Sequence, residues 1–441
     1  MIRRDFLKIS GAAVLAAACA PKRGSQAQGQ GEMEMRVHPA SGDRVSLLGF
    51  GCMRWPMTEG ADGSRKIDQP AVNQLVDYAL SHGVNYFDNS PVYLRGQNEA
   101  AAGIALSRHP RSSYYLATKL SNFQDASREA SLEMYRQSFR YLQTDYFDYY
   151  LLHAVSGEED FKKRYQDNGM LDFLKEEKAA GRIRNLGISF HGDQAGFDYL
   201  MGLHDAGTCH WDFVQIQMNY IDWNHQEDKE ETQASHMYAQ LEKRGIPVVI
   251  MEPLLGGRLA NLPAEVAARL KEREPERSVA SWAFRFCGSF PGVLTVLSGM
   301  KGMDPLLDNL NTFTHFQALS RAEMDLLEEL AVQMKEYPLV GCTGCNYCMP
   351  CPWGIDIPGV FQHYNRAITE GTYAQSQSQR NYRRLKQAYL VGYDRAVASV
   401  AQADHCIGCG ACLRLCPQKI AIPGELRRIA RYVEKLKQDL L

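Results

Sequence analysis

The chain has no surplus of either charge sign: Lys+Arg total 49 against Asp+Glu 51, a formal net charge of −2. Without a basic excess nothing concentrates phosphates, so nucleic-acid binding has no electrostatic support. The apolar stretch in MIRRDFLKISGAAVLAAACA runs for about a dozen residues, short of the roughly twenty that a helix needs to cross a bilayer. No GxGxxG follows the first candidate strand, which weakens a doubly wound dinucleotide-binding sheet. Cysteine is sparse over most of the chain. Of twelve, only Cys19, Cys52, Cys209 and Cys287 lie outside two short C-terminal runs, and these four show no ligand spacing; Cys209 and Cys287 read as buried or lone thiols.

What is present reads as globular: 45% hydrophobic and 23% charged residues exclude disorder and fibrous folds, and 441 residues exceed one small core. At the N-terminus the paired Arg3 and Arg4, with Phe6, Leu7 and Lys8 before the short apolar run, have the layout of a twin-arginine export signal. That route carries folded proteins and predicts a periplasmic or cell-envelope location. Cys19, after Ala16-Ala17-Ala18, is a candidate lipid anchor. The expected organisation is a signal over 1–30, a large central domain over 31–335 and a cysteine-bearing domain over 336–441.

Between about residues 45 and 310, short apolar runs alternate with longer segments of helical period. Eight candidate strands span 45–52, 85–90, 114–120, 146–153, 184–190, 213–219, 247–253 and 292–299. Eight strand-then-helix units predict an α/β fold, a (β/α)₈ TIM barrel, with chemistry at the C-terminal strand ends. Strand two ends in Asp88 with Tyr93 beyond it, strand three in Lys119 and strand four in His153. A buried lysine needs an anion, and Asp88 is the nearest candidate. The Lys119 cation beside Tyr93 is expected to lower the phenol's pKa and make it a proton donor near neutral pH, while His153 orients a carbonyl oxygen.

With GVNYFDNSPVY, ATK and LLH supplying this quartet, the chain from about 40 to 315 resembles the aldo/keto reductases. The resemblance implies hydride transfer from NADPH (or NADH) to an aldehyde or ketone, with Tyr93 as acid, Lys119 and Asp88 as its tuning pair and His153 as orienter. It also implies a cofactor site from Gly51, Cys52 and Met53 at strand one, Ser189 and Gln215 at the carboxamide, Pro253 and Leu254 after strand seven, and Ser298, Gly299, Lys301, Asp308 and Asn309 around the adenosine phosphate. Lys301 suits a 2′-phosphate. Two departures stand out: Met251 replaces the family's aromatic residue at the end of strand seven, and YLRGQNE is two residues longer than YGxSE, which unsettles the role of Glu99.

The run Cys406-x2-Cys409-x2-Cys412-x3-Cys416-Pro417 has the bacterial ferredoxin spacing, and Cys342-x2-Cys345-x2-Cys348-x2-Cys351-Pro352 differs from it in its last gap. Thiols this close suit a metal cluster better than disulfides. Two [4Fe-4S] clusters with crossed ligation are expected: Cys342, Cys345 and Cys348 with Cys416, and Cys406, Cys409 and Cys412 with Cys351. Structural zinc and disulfides remain the alternatives. The tails WGIDIP and KIAIP and the polar helical segment between the runs resemble a ferredoxin-like, mostly helical extension found in a subgroup of the aldo/keto reductases.

Three functional readings follow. One is a reductase acting on a small carbonyl substrate, its clusters exchanging electrons with a redox partner protein. The second is an exported electron-transfer protein whose barrel does not use nicotinamide. In the third the clusters are purely structural. Hydride transfer moves two electrons together and needs no cluster, so these readings make different demands on the same residues. The loop 221–231 is polar and names no substrate.

Overall fold

The computed structural model describes residues 31–60, 65–225 and 232–441. The signal with Arg3, Arg4 and Cys19 lies outside the described residues, as do residues 226–231 of the loop considered for specificity.

Eight parallel strands close into a barrel in the order β10-β11-β12-β3-β6-β7-β8-β9. They are β3 (Leu48–Gly51), β6 (Tyr86–Asp88), β7 (Tyr115–Leu120), β8 (Phe147–Val155), β9 (Ile183–Phe190), β10 (Phe213–Gln217), β11 (Val248–Met251) and β12 (Val293–Ser298). Six of them lie inside the stretches read from the sequence, while β8 runs two residues past its stretch at 153 and β9 begins one residue before its stretch at 184. The strands are apolar along nearly their whole length because both faces are covered, by helices outside and by packed side chains within. Tyr86, Tyr149, Leu151, Phe213, Val249 and Leu294 belong to the small inner core, which makes the barrel a filled cylinder.

Helix starts follow local chemistry. Asp68, Ser127, Asp193 and Ser278 each accept a backbone N–H three residues on, and Ser320 with Glu323 forms a reciprocal capping box. Two hairpins had no clear periodic signal: β1 (Met35–Val37) with β2 (Arg44–Ser46), and β4 (Met57–Glu59) with β5 (Arg65–Ile67). The first covers the N-terminal end of the barrel. Ser46 N–H donates to Asn85 Oδ1 at 2.8 Å, Arg44 N–H to the Tyr115 hydroxyl at 3.0 Å and the Tyr149 hydroxyl to Asp43 at 3.0 Å. Only the opposite end is left for chemistry.

The C-terminal region packs the helices Ile357–Thr369, Tyr382–Ala396 and Ile422–Gln438 around a core of its own. The first and third both begin Ile-Pro-Gly directly after a cysteine run, with proline in the first turn where no donor is lost. Ile357 and Ile422 are both buried in that core. Among the described residues no helix is long and apolar enough to cross a membrane.

The helix Asn98–Leu106 lies so close to its neighbour that a Cβ on Gly103 would sit 2.0 Å from the Tyr141 carbonyl oxygen. Gly103→Ala is expected to cost about 1–3 kcal/mol, read as a lower urea midpoint at unchanged slope.

Candidate active site

Adjacent strands bring Asp88, Lys119 and His153 to one rim. Asp88 ends β6, Lys119 is next to last in β7, and His153 lies in β8 where the pairing with β9 is irregular between Leu152 and Val155. Ala154 takes a left-handed φ of 48°, and its N–H donates to Ser189 Oγ at 2.8 Å. Such an irregularity re-aims the side chain beside it. Beyond β6, the left-handed residues Leu94, Arg95 and Gly96 turn the chain from Tyr93 into the next helix. That turn accommodates the longer YLRGQNE loop.

Lys119 is fully buried and spends its three N–H donors on Asp88 Oδ1 at 2.5 Å, Asp88 Oδ2 at 2.6 Å and the Asn89 carbonyl at 2.9 Å. Burial pushes the Asp88 carboxyl up and the Lys119 ammonium down, and each opposes the shift of the other. The ammonium stands 5.2 Å from the centre of the Tyr93 ring and makes no hydrogen bond to its hydroxyl.

This corrects the expectation that Lys119 lowers the Tyr93 pKa. Burial drives the phenol well above its ordinary value, and Asp88, Tyr347, Cys52 and Glu252 push it further the same way. The lysine charge is already balanced by Asp88, so desolvation wins. Tyr93 therefore stays protonated, ready to donate to an oxygen as that oxygen becomes alkoxide-like.

The Tyr93 and His153 rings meet edge to face with centroids 5.9 Å apart. His153 Nδ1 lies 2.5 Å from Ser121 Oγ and 3.3 Å from Ser90 Oγ. Burial, reinforced by Lys119, Arg164 and His191, holds this imidazole well below the usual histidine range, so it is neutral. Half-exposed Phe123 lies tilted against it, ring centroids 5.0 Å apart, and forms an apolar wall.

The cofactor positions inferred from the resemblance divide into two groups. Gln215 Oε1 is buried without a partner, while its amide nitrogen meets only Met251 Sδ at 3.6 Å, so the side chain has unused capacity for an amide. Ser189 is buried beside it at the strand ends, where β9 and β10 pair directly. Ser298 Oγ accepts from Asn309 at 2.8 Å, and Asp308 accepts from Ser278 at 2.7 Å, so these two groups are already engaged. Lys301 and Gly299 are exposed at the rim, and Leu254 is half-buried after the buried Pro253. Gly51 and Met53 are partly exposed, but Cys52 is fully buried and its thiol points to the Phe50 carbonyl. Its side chain therefore lies in the core and does not line the mouth.

The cysteines fall into the two crossed sets. Cys342, Cys345, Cys348 and Cys416 act electrostatically on one another, and Cys351 lines one cavity with Cys406, Cys409 and Cys412. Gly344 N–H donates to Cys342 Sγ at 3.4 Å. No disulfide links the described cysteines. Among the described residues no three His, Cys, Asp or Glu side chains are gathered tightly enough for a single metal ion.

The cysteine loops sit on the barrel rim, which the sequence did not reveal. Arg54, after β3, donates to the Thr343 carbonyl at 2.6 Å, and Gln418 donates to Gln217 at the end of β10 at 2.9 Å. A Cβ on Gly256 would lie 2.3 Å from the Thr343 oxygen, so the loop after β11 is glycine where the cysteine loop presses on it. Glu252, strained at φ 53°, accepts from Gly256 N–H at 2.6 Å. Tyr347, between Cys345 and Cys348, lies within electrostatic reach of Tyr93, Asp88 and Glu252. Ser90, Ser121, Arg54, Glu252 and Tyr347 thus join the site; Ser90, Glu252 and Tyr347 stood in stretches already marked, at 85–90, 247–253 and the first cysteine run, but none had been singled out.

Comparison with known proteins agrees with this geometry. The sequence pattern of the aldo/keto reductase family matches residues 47–332, and that of a 4Fe-4S dicluster domain matches residues 341–421. "Uncharacterized oxidoreductase YqkF" of Bacillus subtilis is 23% identical over 314 residues, covering 64% of this chain and 92% of the relative. An aldo-keto reductase of Mycolicibacterium vanbaalenii is 28% identical over 273 residues, covering 60% and 87%. Among solved structures, aldo-keto reductase AKR11C1 from Bacillus halodurans (holo form) superimposes with a TM-score of 0.54 at 24% identity, covering 68% of this chain and 96% of that one. An aldo-keto reductase from Klebsiella pneumoniae in complex with NADPH gives a TM-score of 0.53 at 22% identity, covering 68% and 95%.

Lys119→Met should destabilise the protein by about 3–5 kcal/mol, because it strands the buried Asp88 carboxylate. The double variant Lys119→Met/Asp88→Leu should regain most of that loss in equilibrium unfolding. Glu99, held beneath the site by Thr118 and Ser138, is pushed up by burial to about 7. The folded state prefers its protonated form, so the stability gained is complete in acid and is lost as pH rises through about 7. Against Glu99→Gln, the natural protein should lose relative thermal stability across that interval.

Proposed function

The chain belongs to the aldo/keto reductase family, and from that premise we propose that it is an oxidoreductase reducing the carbonyl group of a small aldehyde or ketone with NADPH (or NADH). The observation that carries the reading is the buried Lys119–Asp88 pair beneath a protonated Tyr93, with a neutral His153 across the mouth. The nicotinamide, when bound, supplies a hydride. Tyr93 gives its hydroxyl proton to the carbonyl oxygen, and neutral His153, steadied by Ser121 and Ser90, orients that oxygen. Gln215, with its unpartnered oxygen, and Ser189 suit the carboxamide, and exposed Lys301 suits a phosphate, while Ser298 keeps only its own O–H to offer beside its bond from Asn309. The Klebsiella relative in complex with NADPH supports this choice of cofactor.

Cys342, Cys345, Cys348 and Cys416 would hold one [4Fe-4S] cluster and Cys351, Cys406, Cys409 and Cys412 a second, which would supply single-electron chemistry toward a redox partner. The paired arginines support export in the folded state to the periplasm or cell envelope, with Cys19 as the site of any lipid anchor. One observation favours a second reading, in which electrons reach the mouth from the cysteine domain without nicotinamide. The first cysteine loop covers Arg54, Glu252 and Gly256, the rim that a dinucleotide would also need.

Turnover of a carbonyl panel, with NADPH titrated against intrinsic fluorescence, separates the two. The first reading expects saturable NADPH binding and a fall of about 10² to 10⁴ in turnover for Tyr93→Phe. Absence of NADPH binding by the iron-loaded protein would favour the second, and full activity in Tyr93→Phe would refute the assigned acid.

A further inference from the structure

Exposed apolar side chains are scattered over the barrel but gather around the outer cysteine set. Trp353 is 54% exposed, Ile407 60%, Leu413 45% and Leu415 46%, all on the loops that carry the cysteines. Trp353 and Ile407 line the same cavity as Cys351, Cys406, Cys409 and Cys412, and Cys409 itself is exposed. The donor set therefore lies directly under an apolar collar. Grouped exposed apolar side chains of this kind mark interaction surfaces.

The rim of the collar is basic although the whole chain is at −2. Arg414 stands exposed between Leu413 and Leu415, Lys419 follows the second run, and Arg427 Nη1 lies 3.2 Å from the Cβ position of Gly408. None of the three has an ion-pair partner among the described residues. Of the nearby acids, Glu425 is spent on Arg428 and Asp404 lies 4.0 Å from His405.

We propose that this collar is the docking surface for a small acidic protein that carries single electrons. The reduced carrier loses one electron and the centre held by Cys351, Cys406, Cys409 and Cys412 gains it, with no bond made and no proton moved. The apolar collar excludes water at the point of closest approach, and Arg414, Lys419 and Arg427 set the orientation. The proposal rests on the reading of these cysteines as iron–sulfur ligands.

The test uses the full-length, iron-loaded protein and an oxidised acidic [2Fe-2S] ferredoxin as the probe, with binding measured by calorimetry. Binding at low salt should weaken by about tenfold or more at high salt and in Arg414→Glu/Arg427→Glu, whose positions lie away from the barrel site. The same variant should keep its full iron content and its cluster absorbance. Full iron content with no carrier binding, binding indifferent to salt and to the charge reversals, or equal binding of a basic c-type cytochrome would each overturn the docking surface. Iron content far below eight per chain would instead sink the cluster reading on which it rests.

Discussion

A buried ammonium shared between two carboxylate oxygens and one backbone carbonyl sets the terms for the rest of the site. Lys119 has no solvent to relieve it, so the fold must hold Asp88 and the Asn89 carbonyl within hydrogen-bond reach. Such a pair is costly to bury and harder still to break on one side. It fixes the ends of β6 and β7 relative to each other, and the turn that delivers Tyr93 departs from that anchored point. The proton chemistry is therefore built on a neutralised pair. The phenol above it experiences burial more than charge, which is why it is held protonated.

The second constraint is the seating of the cysteine domain. Arg54, Gly256 and Gln217 belong to three different strand ends, and each meets the C-terminal region. The first cysteine set thus lies against the rim of the cylinder, and the second faces outward under an apolar collar. Electrons entering at the surface and a carbonyl bound in the mouth would be handled by one continuous body.

The strands were legible because each is a short apolar run buried on both faces and bounded by polar or glycine residues; 114–120 against the observed Tyr115–Leu120 is typical. The two cysteine runs were legible from their three-residue spacing, and the crossed ligation was expected from the ferredoxin pattern. The hairpins were not, because three-residue strands carry no period. Nor was the direction of the Tyr93 shift, which depends on burial and on Lys119 being fully engaged elsewhere. Ser121 near His153 and Thr343 against Gly256 are contacts between distant segments. In sequence, Thr343 and Tyr347 are mere spacers between cysteines, and nothing local reports what they touch.

The most direct check on this account is the ionisation of a single phenol. Absorbance at the tyrosinate band, followed against pH in the iron-loaded protein and corrected by the same titration of Tyr93→Phe, isolates that group. Burial over a neutralised pair predicts no Tyr93 ionisation up to about pH 10, the ordinary phenol value. An ionisation near neutrality would mean that the lysine charge reaches the hydroxyl unbalanced, and the arrangement derived for the barrel mouth would be wrong.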